Sequence, residues 1–121
     1  YNGYTSAAKK NASKTLHSQA VKYISAELAK CALDSTTTAF GSPGVSCSGI
    51  TASEATAGYD TMSNDKNPYD GTDGVTDGAI PTDGAADGQL YLVANDTTKT
   101  IVISIEPGGT ETTLSSTITI D

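Results

Sequence analysis

"YNGYTSAAKKNASKTLHSQAVKYISAELAKC", residues 1–31, decides the fold. Tyr4, Ala8, Ala12, Leu16, Ala20, Ile24 and Leu28 recur every four residues, with Tyr23 and Cys31 beside the stripe. That spacing gathers them on one side of an α-helix. The lysines at 9, 10, 14, 22 and 30 fall mostly off the stripe, no proline interrupts it, and its one glycine, Gly3, lies at the start. The stripe changes character along its length. Alanines and a tyrosine come first; from Leu16 onward it is bulkier. The second half is therefore expected to bury against its own domain, and the first half to project and meet something else.

At 121 residues the chain has room for one domain with a modest core. Its apolar content is 36%, with one Phe, no Trp and six Tyr. That is low for a globular domain, so something besides burial has to add stability. Cys31 and Cys47 are the first candidates, and packing against other subunits is the second. The loop between them is rich in Thr, Ser and Gly. A disulfide there would remove roughly 3 kcal/mol of unfolded-chain entropy; two buried free thiols are the alternative. A Cys pair without neighbouring His or Asp is a poor zinc site and points to the periplasm or the cell exterior. The net charge of −7 argues against nucleic acid as a partner. It is unevenly placed: residues 1–31 hold five lysines and one acid, a balance of +4, and residues 32–121 hold two lysines and thirteen acids, a balance of −11. Such a basic stalk on an acidic body can pack head to tail, or both faces can simply be solvated.

Beyond the helix, residues 32–88 read as a loop region. Phe40 and Val45 are expected to tuck onto the helix, and 53–57 to form one short helical turn. Asp-Gly pairs begin at Asp70, Asp73, Asp77, Asp83 and Asp87. Asp-Gly suits turns, so this stretch should be an exposed, irregular excursion. Residues 89–121 read as β: "QLYLVAN" (89–95), "KTIVISI" (99–105) and "TLSSTITI" (113–120) are rich in β-branched and aromatic residues. The expectation is one α+β domain, its long N-terminal helix packed on a three-stranded antiparallel meander. In the third strand Leu114, Ile118 and Ile120 alternate with Ser115, Thr117 and Thr119, which implies one wet face and one covered by the helix.

This arrangement, with "YNGYTSAA" at 1–8, resembles the bacterial type IV pilins and the related type II secretion pseudopilins. Tyr1, Tyr4, Thr5 and Ala8 match the Tyr-x-x-Tyr-Thr stretch that follows the apolar half of the pilin helix. The resemblance implies that this apolar half precedes Tyr1 and is missing from the chain. It implies a subunit held in the inner membrane, facing the periplasm, before assembly. Afterwards it would lie in an extracellular pilus made of identical subunits, serving adhesion, surface motility or DNA uptake. Tyr1, Tyr4, Ala8 and Ala12 would continue the filament core, and helix lysines would meet acids of a neighbour. The position of the cysteines departs from the family, because both precede the strands. The rival readings are a major pseudopilin and a stand-alone calcium-binding adhesion module.

Little else in the sequence carries chemistry. Asp70, Asp73 and Asp77, with intervening carbonyls, could supply oxygen ligands to calcium, but no EF-hand spacing is present; turn-forming Asp-Gly pairs are the simpler reading. His17, the only histidine, has no Gly-x-Ser-x-Gly motif to serve and is expected to be a packing or surface residue. Glu27 is expected to pair with Lys30 or Lys22. The chain has no arginine and no phosphate-binding glycine loop, so no enzyme and no cofactor, calcium aside, are expected.

Overall fold

A computed structural model describes residues 2–41 and 44–120, with side chains described from Ser6 onward. Helix α1 runs from Asn2 to Leu33. From Ser13 onward it does what the stripe requires. Leu16, Ala20, Ile24, Leu28 and Cys31 are all buried, together with Ser13 and His17. They meet Ile101, Ile103 and Ile105 of a sheet, and Ala39 and Phe40 of the following loop, in one core. His17 is a packing residue: its Nε2 lies 3.0 Å from the Ile103 carbonyl, tying α1 to the sheet.

The three expected strands are present as β4 (Leu90–Asn95), β5 (Thr100–Ile105) and β6 (Leu114–Thr119), paired antiparallel in sequence order. The expected three-stranded antiparallel sheet needs correction. A further strand, β3 (Val75–Asp77), pairs parallel with β4, so the sheet is mixed and has four strands in the order β3-β4-β5-β6. β3 lies inside the Asp-Gly stretch. Val75 is its one buried side chain, too little for a strand signal from local sequence. Two shorter strands, β1 (Thr38–Ala39) and β2 (Val45–Ser46), form a separate antiparallel pair. Beside them Cys31 and Cys47 are joined in a disulfide. β6 alternates as its sequence predicts, its serine and threonine side chains at 115, 117 and 119 exposed and Leu114, Ile118 and Ile120 partly buried against the core.

The short turn expected at 53–57 is an eleven-residue helix, α2 (Ala52–Met62). Thr51 caps it: its side chain accepts from the Glu54 N–H, and Glu54 Oε1 accepts from the Thr51 N–H at 3.0 Å. That reciprocal pair satisfies two of the donors left free at a helix start. Asp96, from the β4–β5 turn, adds a second tie, accepting from the Ser53 N–H and Oγ–H at 2.9 and 2.7 Å. These bonds hold the Asp96 carboxyl below its ordinary range. Gly58 is where α2 meets the loop, and a Cβ there would stand 2.8 Å from Val45 Cγ2 and 3.1 Å from Phe40 Cβ. Phe40 sits at φ +62, a region costly for a bulky residue. It is held there by burial and by its N–H donating to Glu27 Oε1 at 2.8 Å. Glu27 therefore anchors this loop as well as facing Lys30 at 3.6 Å.

Tyr59 on α2 is buried, its ring 5.8 Å from that of Tyr23 and its hydroxyl donating to Asp65 Oδ2 at 3.0 Å. Burial, and then the Asp65 charge, push its pKa well above the ordinary 10.0. The sign follows from linkage: above pH ~10 an unfolded tyrosine ionises while the folded Tyr59 keeps its proton, so stability falls as pH rises from there. In urea titrations at about pH 8 and about pH 11, the native protein should lose more stability between the two than Tyr59→Phe does. Equal losses would show that Tyr59 is not the linked group.

Candidate functional site

The candidate surface is the N-terminal part of α1. Three contacts clamp it to the body just before the buried stripe begins. Lys9 Nζ lies 5.5 Å from the centre of the Tyr69 ring, within cation–π range. The Lys10 side chain packs on Gly109 so closely that a Cβ there would be 2.9 Å from its Cε and Nζ. Lys14 Nζ meets Glu111 Oε1 at 2.9 Å, and this contact holds the Glu111 carboxyl below its ordinary range. Tyr69 in turn donates its hydroxyl to the Pro107 carbonyl. The β5–β6 loop and the start of the Asp-Gly stretch thus close on the helix at Lys9–Lys14.

On the other side of this clamp the helix carries on. Asn2–Ala8 remain helical, about 10 Å of rod at 1.5 Å per residue. Ser6, Ala7 and Ala8 are exposed, and so are Asn11, Ala12 and Thr15. Of the four residues expected to contact a neighbour, Ala8 lies on this rod and Ala12 is exposed between the clamping lysines. Tyr1 falls outside the described residues. Tyr4 is in the helix, and its side chain is outside the described set. One of the lysines expected to serve a neighbour, Lys14, is instead engaged by an acid of its own chain.

The Asp-Gly stretch is organised by Asn67, a residue with no distinguishing mark in the sequence. It is buried, donates to the Asp87 carbonyl at 3.0 Å and to Gln89 Oε1 at 3.1 Å, and accepts the Tyr69 N–H at 2.8 Å. Asp70 Oδ1 accepts from the Thr72 N–H and Oγ–H, which lowers its pKa. Asp73 Oδ1 accepts from the Val75 N–H at 3.1 Å, and Asp77 closes β3, exposed. Asp73 and Asp77 act on Asp60, whose pKa is raised by burial first and then by their charge. The three aspartates considered for calcium are not drawn together: among the described residues no three His, Cys, Asp or Glu side chains form a group that could hold a metal ion. Asp70 and Asp73 have the geometry of turn residues bonding back to the backbone two residues on.

No described helix is long and apolar enough to cross a membrane. Comparison of the chain with known protein families, with curated proteins and with solved structures finds no match.

Proposed function

We propose that this chain is the structural subunit of a type IV pilus filament, joined to identical subunits through the N-terminal part of α1. One observation carries the reading: α1 changes allegiance along its length. From Ser13 its stripe is buried in the domain, while Ser6–Ala8, Asn11 and Ala12 are exposed on a helix that continues past the clamp. A rod of this kind satisfies its own backbone hydrogen bonds but leaves Ser6, Ala7 and Ala8 exposed. Packing against sibling copies would bury them. The Tyr-x-x-Tyr-Thr resemblance at residues 1–5 supports the same reading.

In this account an apolar segment ahead of α1 anchors the subunit in the inner membrane, facing the periplasm, until assembly. The acidic body then faces outward on an extracellular fibre used for adhesion, motility or DNA uptake. No catalysis is assigned to it. The test is immunogold electron microscopy of the producing cells with antibody raised to this domain. Gold spaced along surface fibres is the expected result. Label confined to the cell envelope, with protein export lost on deletion, would replace the pilus by a secretion pseudopilus. Diffuse label with no fibre would end the filament reading.

A further inference from the structure

We propose that Asp83–Gly84 is the site at which the folded protein forms isoaspartate. The inference stands apart from the filament reading. In the reaction the Gly84 amide nitrogen attacks Cγ of Asp83. The carboxyl hydroxyl leaves with the amide proton as water, and a five-membered succinimide closes. Water then opens that ring at either carbonyl, giving back aspartate or giving isoaspartate, whose backbone runs through the side chain. No oxidant or further reactant is needed. Glycine places no side chain in the path of attack, so every Asp-Gly pair of this chain is reactive by sequence.

The fold separates them, because attack needs a carboxyl free to approach and a backbone free to turn. At Asp70 the carboxylate is held by the Thr72 N–H and hydroxyl, at 3.0 and 2.6 Å, and the Gly71 N–H donates to the Asn67 carbonyl at 2.8 Å. At Asp73 the carboxylate takes the Val75 N–H, and the Gly74 N–H donates to the Asp65 carbonyl at 3.0 Å. Gly74 is also buried, its Cα walled in by the Lys66 and Asn67 backbone. Asp77 lies in β3 opposite Leu92, so the parallel ladder fixes its torsions at strand values. Asp87 is bridged to Glu106, and the buried Gly88 donates its N–H to the Glu106 carbonyl at 2.7 Å.

Asp83 differs from all four. It lies in no strand or bridge, and no side-chain hydrogen bond holds its carboxylate among the described residues. Residues 79–84 are all exposed, and a Cβ at Gly84 would meet nothing within 4 Å. A single turn bond, from the Gly84 N–H to the Pro81 carbonyl at 2.9 Å, is all that has to open, and water can replace it. An inserted methylene at this exposed turn displaces no packed group.

The experiment ages the oxidised full chain in mildly acidic buffer, where part of the carboxyl population is protonated. Trypsin then releases Asn67–Lys99, which carries every Asp-Gly pair, and electron-transfer fragmentation locates isoaspartate within it. The expected result is more isoaspartate at 83 than at the other four positions together. Asp83→Glu should lose that product, because its longer side chain would have to close a six-membered ring. The reduced, denatured chain should form it at all five positions. An even spread in the folded protein, a different leading position, or none at 83 while the denatured chain accumulates it would each overturn the proposal.

Discussion

Ile24→Ala is expected to destabilise the domain by about 2–5 kcal/mol, the range for removing a large aliphatic side chain from a packed core. Ile24 is fully buried at the middle of the α1 stripe, between Ala20 and Leu28, in the cluster that includes Phe40, Ile101 and Ile103. Its stripe neighbour Ala20 is too short to fill the space left behind. Against a total stability of order 5–15 kcal/mol, such a loss is a large fraction. The melting temperature should fall by about 10 °C or more. Leu33→Ala is the control: Leu33 is on the same helix but 90% exposed, and its removal should stay within about 0.5 kcal/mol. Similar effects of the two changes would mean that α1 is not seated as described.

The second large effect is expected from the cysteines. Cys31 ends the buried stripe of α1, and Cys47, a separation of 16, follows β2. Closing a loop of that length removes roughly 3 kcal/mol of unfolded-state entropy. The bond also holds a segment with little regular structure of its own. β1 and β2 are two residues each, and the Cys47 N–H donates to the Thr37 carbonyl at 3.0 Å. Cys31→Ser/Cys47→Ser should lower the urea midpoint by an amount equivalent to about 3 kcal/mol. Hydrogen exchange should quicken first at 37–47, with the β4–β5 ladder still protected. An unchanged midpoint would show that the loop is held without the bond.

What the sequence made legible follows from where signals are local. The helix is readable because its apolar residues repeat at four with no proline between, the strand at 100–105 because β-branched residues dominate it, and the strand at 90–95 because Leu90, Tyr91, Leu92 and Val93 form an apolar run. α2 is longer than the single turn its sequence suggests. Its body, "ASEATAGYDTM", is small and polar, and the usable signal is the capping pair of Thr51 just ahead of it and Glu54 in its first turn. β3 was invisible because a three-residue strand exists only through pairing with β4, fifteen positions away at Val75↔Leu90. The exposed end of α1 was legible in the thinning of its stripe toward alanine. The clamp was not, since Tyr69, Gly109 and Glu111 reach the helix from distant loops and carry no shared pattern.

The central claim is that one rod serves two partners, its own domain from Ser13 onward and sibling copies ahead of that point. The direct measurement is the double change Ala8→Glu/Ala12→Glu, introduced both into the isolated domain and into the gene of the producing cell. Both positions are exposed in the single subunit, so the isolated domain should melt within about 0.5 kcal/mol of the parent. The cells should lose their fibres, because each copy now carries two buried charges into the assembly. Normal fibres from the altered gene would contradict the account, and so would an isolated domain that unfolds with the change.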